Sequence, residues 1–349
     1  MSGASRHNCF DLMRHIAALA VLVSHHYALS GLVEPNFSGK FIFGMNAISW
    51  GGLAVLIFFS ISGYLVTKSF IRSEGFVDYM NKRARRLFPG LIVCCAILVF
   101  LVMPFYNGNH LIAFFDPASW NSFIRSVMLL RLDFPTPVAA FKYHNIMNGS
   151  LWTLSSEFLC YVLAAIALGY SKSWRAPAVI LAICIAAMFY TLESRSEFIF
   201  YQIKSARFLP FLIVFAVGSL MATTEITWNN TKSRIVLAVL SVLTLIATSQ
   251  TKEAYILGNI AIAVAVLAIG TSFKDRLISG KYDISYGIYI YAWPVQQIVI
   301  NETGLSLYPS LLLTVAITLV LAAASWRFVE KPFLARHAPS RQQSAAVAQ

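Results

Sequence analysis

Cys9-Phe10-Asp11-Leu12-Met13-Arg14-His15-Ile16-Ala17-Ala18-Leu19-Ala20-Val21-Leu22-Val23-Ser24-His25-His26-Tyr27-Ala28-Leu29 is a run of membrane-helix length that carries two costly groups, Arg14 and His25. They are eleven residues apart. At about 100° per residue, eleven steps end roughly 20° past three full turns, so both side chains leave the helix on nearly one face. The rise between them is roughly 16 Å, about half the hydrocarbon thickness of a bilayer. A guanidinium near one end and an imidazole half a membrane higher are expensive in lipid. Such groups face a bundle interior and mark a functional path.

Composition agrees with a membrane setting. Of 349 residues, 58% belong to the set AVILMFWYC and only 12% are charged, where a soluble domain carries about 25% charged residues. Apolar runs occupy 10–30, 48–70, 87–106, 149–170, 176–193, 206–224, 235–250, 255–273, 284–300 and 309–328. Their lengths suit membrane-spanning helices. The expected fold is therefore an all-α polytopic membrane protein of about ten transmembrane helices, the seventh the shortest. Turn and breaker residues separate the runs, among them Glu34-Pro35-Asn36, Asn107-Gly108-Asn109, Asp116-Pro117, Pro135-Thr136-Pro137 and Asn229-Asn230. No inverted repeat of the transporter kind is visible.

Basic residues set the expected orientation. With both termini cytoplasmic, nineteen of the 27 lysines and arginines fall on the cytoplasmic side and eight on the other, which the positive-inside rule favours. Arg6 and Ala28-Leu29-Ser30 loosely imitate a signal peptide, but Asp11, Arg14, His15, His25 and His26 make this run too polar for one, and it is read as a retained helix. Residues 1–336 are expected to form one transmembrane domain and 337–349 a disordered cytoplasmic tail. The net charge of +12 is spread between apolar runs, a pattern of membrane topology rather than of nucleic-acid binding. Five cysteines (Cys9, Cys94, Cys95, Cys160, Cys184) lie in or beside apolar runs and read as small buried residues, not a disulfide framework. No HExxH or tight Cys/His set suggests a metal. The longest connection, 107–148, is rich in aromatic residues; it is either interfacial packing or an acceptor-binding lid.

Several blocks in order resemble the acyltransferase 3 family, bacterial integral-membrane O-acyltransferases. They are Asp11-Leu12-Met13-Arg14 followed by His25; Val55 to Leu65; Asn81-Lys82-Arg83-Ala84-Arg85-Arg86-Leu87-Phe88-Pro89; Ser150-Leu151-Trp152-Thr153-Leu154-Ser155-Ser156-Glu157-Phe158 with Tyr161; Arg207-Phe208-Leu209-Pro210 with Gly218; Ile284 to Tyr289 with Trp293-Pro294; and Phe328-Val329-Glu330-Lys331-Pro332. The chain departs from the family pattern at Leu56, where an aspartate is common, and at Ala292, where a histidine is common. It also ends soon after the tenth run, so the hydrolase-like domain fused to some members is not expected.

The resemblance implies an enzyme of the bacterial inner membrane. It would move an acyl group, acetyl by default, from cytoplasmic acyl-coenzyme A to a hydroxyl of an envelope sugar such as O-antigen, exopolysaccharide or peptidoglycan. Acetyl-CoA would be a donor substrate and no cofactor would be permanently bound. A sugar hydroxyl is a poor nucleophile, so a base must take its proton, and histidine is matched to neutral pH. His25 is the expected base, with an acyl-histidine intermediate as a variant. His26, about 100° round the helix, faces elsewhere. Arg14, Arg83 and Arg86 are expected donor-binding residues, since guanidinium forks suit phosphates; interfacial anchoring and anionic lipid contact predict similar placements. Glu157 lies at membrane depth and needs a partner. It can orient His25, bind the acceptor or pair with an arginine. The alternative from another class is a polytopic transporter with an Arg/His/Glu path.

Overall fold

The computed structural model describes residues 8–35, 49–108, 112–129, 141–142, 146–194, 196–200, 203–249, 251–278, 280 and 282–335. The expected tail at 337–349 lies outside them, as do His110, Phe134, Tyr143 and His144 of the long connection. Each of the ten apolar runs holds a helix: α1 Phe10–Ser30, α2 Trp50–Ile71, α3 Phe76–Asn107, α5 Trp152–Tyr170, α6 Arg175–Ser194, α7 Ser205–Thr223, α9 Thr231–Thr248, α10 Leu257–Ser272, α11 Ser285–Glu302 and α12 Leu307–Leu334. Between them lie two shorter helices, α4 Pro117–Val127 and α8 Glu225–Trp228. A two-residue antiparallel ladder pairs Ile199 with Lys204 and Phe200 with Ile203. The described residues are otherwise helices and their connections.

Seven helices are long and apolar enough to cross a membrane: α2, α3, α5, α6, α7, α9 and α12; α10 is apolar but shorter. α1 and α11 are not among the seven. α1 carries Asp11, Arg14, His15, His25 and His26, and α11 carries Gln296, Gln297 and Asn301. These two polar helices pack against each other, and α1 also meets α2 and α12. The helices that turn most of their surface outward, α6, α9 and α12, are rich in Leu, Ile and Val instead.

α3 starts at Phe76, well before the expected start at residue 87. The apolar run misses its first three turns because they are charged, yet Met80, Lys82, Arg83, Ala84, Arg85 and Arg86 are good helix formers. Two π-helical turns, Leu98–Val102 and Trp326–Glu330, each end two residues before a proline, Pro104 and Pro332. Proline has no N–H to give the carbonyl four residues back and crowds it, so the preceding turn widens.

α2 and α7 form the tightest contact in the core. A Cβ on Gly63 would stand 2.1 Å from the Phe215 carbonyl oxygen, and one on Gly218 would stand 2.3 Å from that of Ser60. Thr67 and Ser219 share a hydroxyl hydrogen bond of 2.6 Å across the same seam. Small residues let two backbones approach where no hydrophobic force separates helix from lipid. Gly218→Ala is therefore expected to destabilise by about 1–3 kcal/mol through overpacking. Gly75→Ala, with open space around its Cβ position, is the matched control; unchanged thermal unfolding of Gly218→Ala in detergent would refute the close contact.

Candidate active site

One end of the bundle holds a cavity of about 600 Å³ between α1, α2, α3 and the segment before α11. Its wall carries five cations, Arg14, Lys68, Arg72, Arg83 and Arg86, against three carboxylates, Asp11, Glu225 and Asp283. All three arginines expected from the sequence thus meet in one place. The basic cluster of α3 divides as helical spacing requires. Arg83 and Arg86, three residues apart, share a face and line the cavity. Lys82 turns away to Asp78 at 2.6 Å and to the Ser73 hydroxyl at 3.2 Å.

Asp283 organises this wall, and sequence reasoning missed it. Its Oδ2 accepts from Arg86 Nη2 at 2.5 Å and from Arg14 Nη1 at 3.3 Å, while Oδ1 accepts from the Ser285 hydroxyl at 2.9 Å. Burial by itself would raise the Asp283 pKa. The charges of Arg14 and Arg86 and these hydrogen bonds outweigh it and hold the carboxyl well below the usual carboxylate range. The next residue is tied as well: the Ile284 N–H donates to His15 Nε2 at 3.2 Å, and His15 Nδ1 donates to the Asp11 carbonyl at 2.7 Å. The only signal in the sequence was an aspartate adjoining the Ile284-Ser285-Tyr286 block.

On the opposite wall Lys68 pairs with Glu225 at 2.7 Å, and the Tyr64 hydroxyl donates to the same carboxylate at 2.6 Å. Burial raises the Glu225 pKa, but the hydrogen bonds from Lys68 and Tyr64 bring it below its ordinary value. Arg83 donates to the Ser69 hydroxyl at 3.2 Å and lies 6.0 Å from the ring centres of both Tyr79 and Tyr161. Its buried Nε has no partner among the described residues.

Away from the arginines, Glu157 accepts hydrogen bonds from the Tyr161 hydroxyl and, at 3.3 Å, from the Ser62 hydroxyl. It borders a narrow cavity of about 40 Å³ with Phe58, Thr153, Tyr286 and Tyr289. Among the described residues its partners are Ser62 and Tyr161, so its ties run toward the basic cavity through Tyr161 and Arg83. Trp152 packs on Phe211, with ring centres 5.5 Å apart.

His25 sits near the far end of α1. Its ring meets Trp293 of α11 edge to face at 4.7 Å, and its buried Nδ1 is without a partner among the described residues. Trp293 is itself held, its Nε1 donating to the Ile146 carbonyl at 3.2 Å. Gly149 gives this indole room, since a Cβ there would fall 2.5 Å from it. His26 points elsewhere, as its register requires, and bonds the Ser310 hydroxyl of α12 at 2.9 Å.

An arginine-lined cavity thus lies toward one end of α1, and the His25 imidazole, packed on Trp293, toward the other. The family model described as an acyltransferase domain matches residues 7–329. The chain belongs to the acyltransferase 3 family. This acyltransferase is a multi-pass membrane protein. It is 39% identical to an O-acetyl transferase of Shigella phage Sf6, over 95% of this chain and 97% of the phage protein. It is 27% identical to nodulation protein 10 of Rhizobium leguminosarum bv. viciae, over 93% and 92% of the two chains. It is also 24% identical to YrhL of Bacillus subtilis (strain 168), assigned by name to peptidoglycan O-acetylation, over 92% of this chain and 54% of that protein. No solved structure matches it.

Proposed function

We propose that this acyltransferase is an O-acetyltransferase of the bacterial inner membrane. It takes an acetyl group from cytoplasmic acetyl-CoA, or another acyl-CoA, and delivers it to a hydroxyl of an extracytoplasmic glycan. In this reading the helices of all ten apolar runs cross the bilayer with both termini in the cytoplasm, so the arginine cavity opens to the donor and His25 lies toward the acceptor. The observation that carries it is the convergence of Arg14, Arg83 and Arg86 in one cavity of about 600 Å³, on the face of α1 that also bears His25. The names of the phage and Bacillus subtilis relatives support O-acetyl transfer, and the latter a glycan acceptor.

In the proposed reaction Arg83 and Arg86 hold donor phosphates from α3, and Arg14 holds the donor from α1. The thioester lies toward His25. As the acceptor oxygen attacks the thioester carbonyl, its proton passes to the free lone pair of the imidazole. The C–S bond then breaks, and the imidazolium returns the proton to the departing thiolate. The products are an O-acyl ester, free coenzyme A and neutral His25, so no proton is gained or lost. Trp293 fixes the ring plane, which favours a general base in one orientation. Glu157, which borders the narrow cavity between α2, α5 and α11, binds the hydroxyl of the acceptor.

Envelope glycans from cells with the wild-type protein, His25→Ala and no protein test the proposal by mass spectrometry. Acetyl increments present only with the wild type support it; identical glycans in all three would overturn it. A transporter requires no ester product at all. Glu157→Gln keeps an acceptor oxygen for Ser62 and Tyr161 but removes the charge. It is expected to lower kcat at least about tenfold while leaving the donor KM in place, measured as thiol release by the purified enzyme.

A further inference from the structure

α3 is long enough to carry a second cavity at its other end. Arg86 and Asn107 lie on this one helix about 31 Å apart at 1.5 Å per residue. There a cavity of about 470 Å³ opens between the last turns of α3 and the segment leading into α4. The sequence builds it by three devices. Pro104 widens the π turn at Leu98–Val102, which moves Val99 and Met103 to the cavity wall. Asp116 caps α4 by accepting from the N–H groups of Ala118 and Ser119 at 3.1 and 2.9 Å. Phe100 locks α4 onto α3 by stacking on Phe114 at 5.2 Å and meeting Trp120 and Phe123 at 4.8 and 5.4 Å.

Two polar groups line this cavity and have no partner among the described residues. They are the hydroxyl of Ser122, a residue only 2% exposed, and Nδ2 of Asn107. Buried polar groups left unpaired are costly, and a ligand with matching groups relieves that cost. Beside them Phe115, 86% exposed, offers a free aromatic face at the rim. An aromatic face with an amide donor, a hydroxyl and, at Asp116, a carboxylate already held by the first N–H groups of α4 suits a neutral polyhydroxylated ring, whose C–H face packs on the aromatic ring and whose hydroxyls pair with the polar groups. The volume lies within the range of small-molecule sites, about 300–1,000 Å³.

We infer that this cavity is a carbohydrate subsite which holds the acceptor glycan at sugar residues beyond the one being acylated. The inference rests on the proposed function, which puts this end of α3 outside the cytoplasm together with His25. The first test is cross-linking in cells, with p-benzoylphenylalanine placed at position 115 or, as a control, at position 226, where Ile226 is fully exposed on α8. A carbohydrate adduct at 115 and none at 226 is the expected result. Adducts only to lipid, or no carbohydrate at 115, overturn the subsite. The second test uses purified enzyme with acetyl-CoA and polysaccharide extracted from the cell envelope. Phe115→Ala and Ser122→Ala are each expected to raise the acceptor KM about tenfold, equivalent to one neutral hydrogen bond or ring contact. The donor KM and the slow hydrolysis of acetyl-CoA without acceptor stay unchanged. An unaltered acceptor KM in both variants overturns the inference while leaving O-acetyl transfer intact. A wild type that acetylates no glycan overturns the proposed function instead, and the cross-link still decides whether this cavity takes sugar.

Discussion

His25→Ala lowers acyl transfer by about 10²–10⁴-fold, the range removed with a positioned general base, and leaves donor binding unchanged. Binding is retained because the three arginines line a cavity that His25 does not border. The variant also keeps its fold: the ring gives up one edge-to-face contact with Trp293, and its buried Nδ1 has no partner among the described residues. Coenzyme A titrated by calorimetry into wild type and variant should give the same affinity, while product formation by mass spectrometry falls. A variant that loses coenzyme A binding and transfer together would mean that His25 shapes the donor site. His25→Gln distinguishes base from hydrogen-bond partner, since the amide fills similar space but cannot take a proton at neutral pH; it is expected to match alanine.

The second large effect belongs to the Arg14–Asp283–Arg86 group. Arg86→Ala is expected to weaken coenzyme A binding by about 10–150-fold, corresponding to roughly 1.5–3 kcal/mol for a hydrogen bond to a charged group. Arg86→Lys recovers little, because an ammonium lacks the planar fork. Asp283→Asn acts differently. It leaves two mostly buried guanidiniums without their shared counter-charge, so both stability and donor affinity fall, whereas kcat at saturating donor changes least. The pH dependence follows from the sign of the shift. The native Asp283 carboxyl titrates below its unfolded value, which is about 3.9. Its stabilisation is therefore complete above that value and is lost as pH falls through the lower native one. The difference in Tm between wild type and Asp283→Asn should stay constant from about pH 5 to 9 and shrink only below about pH 4. A difference that changes steeply between pH 5 and 7 would assign the effect to another group.

Much of the membrane core was legible because lipid imposes a coarse rule: each span must be a long apolar helix. Every expected run holds a helix. The errors fall where that rule is silent. The start of α3 at Phe76 rests on charged helix formers outside the apolar run, and the two π turns depend on which carbonyl a proline leaves unpaired. Residues 112–129 of the long aromatic connection hold a 3₁₀ turn and the capped helix α4, which no membrane-length run can signal.

For the site, sequence by itself determined the one-face register of Arg14 and His25, the register of His26 about 100° away from them, and the shared face of Arg83 and Arg86. Each of these follows from position along one helix, where 3.6 residues per turn set direction. Only the tertiary structure decided which residues from different helices meet. It joined α1 and α3 through Asp283 in the approach to α11, joined Glu157 of α5 to Ser62 of α2, and backed His25 with Trp293. Those pairings depend on how helices cross and on glycines such as Gly63 and Gly218 that let them approach, and helical periodicity carries no information about its neighbours.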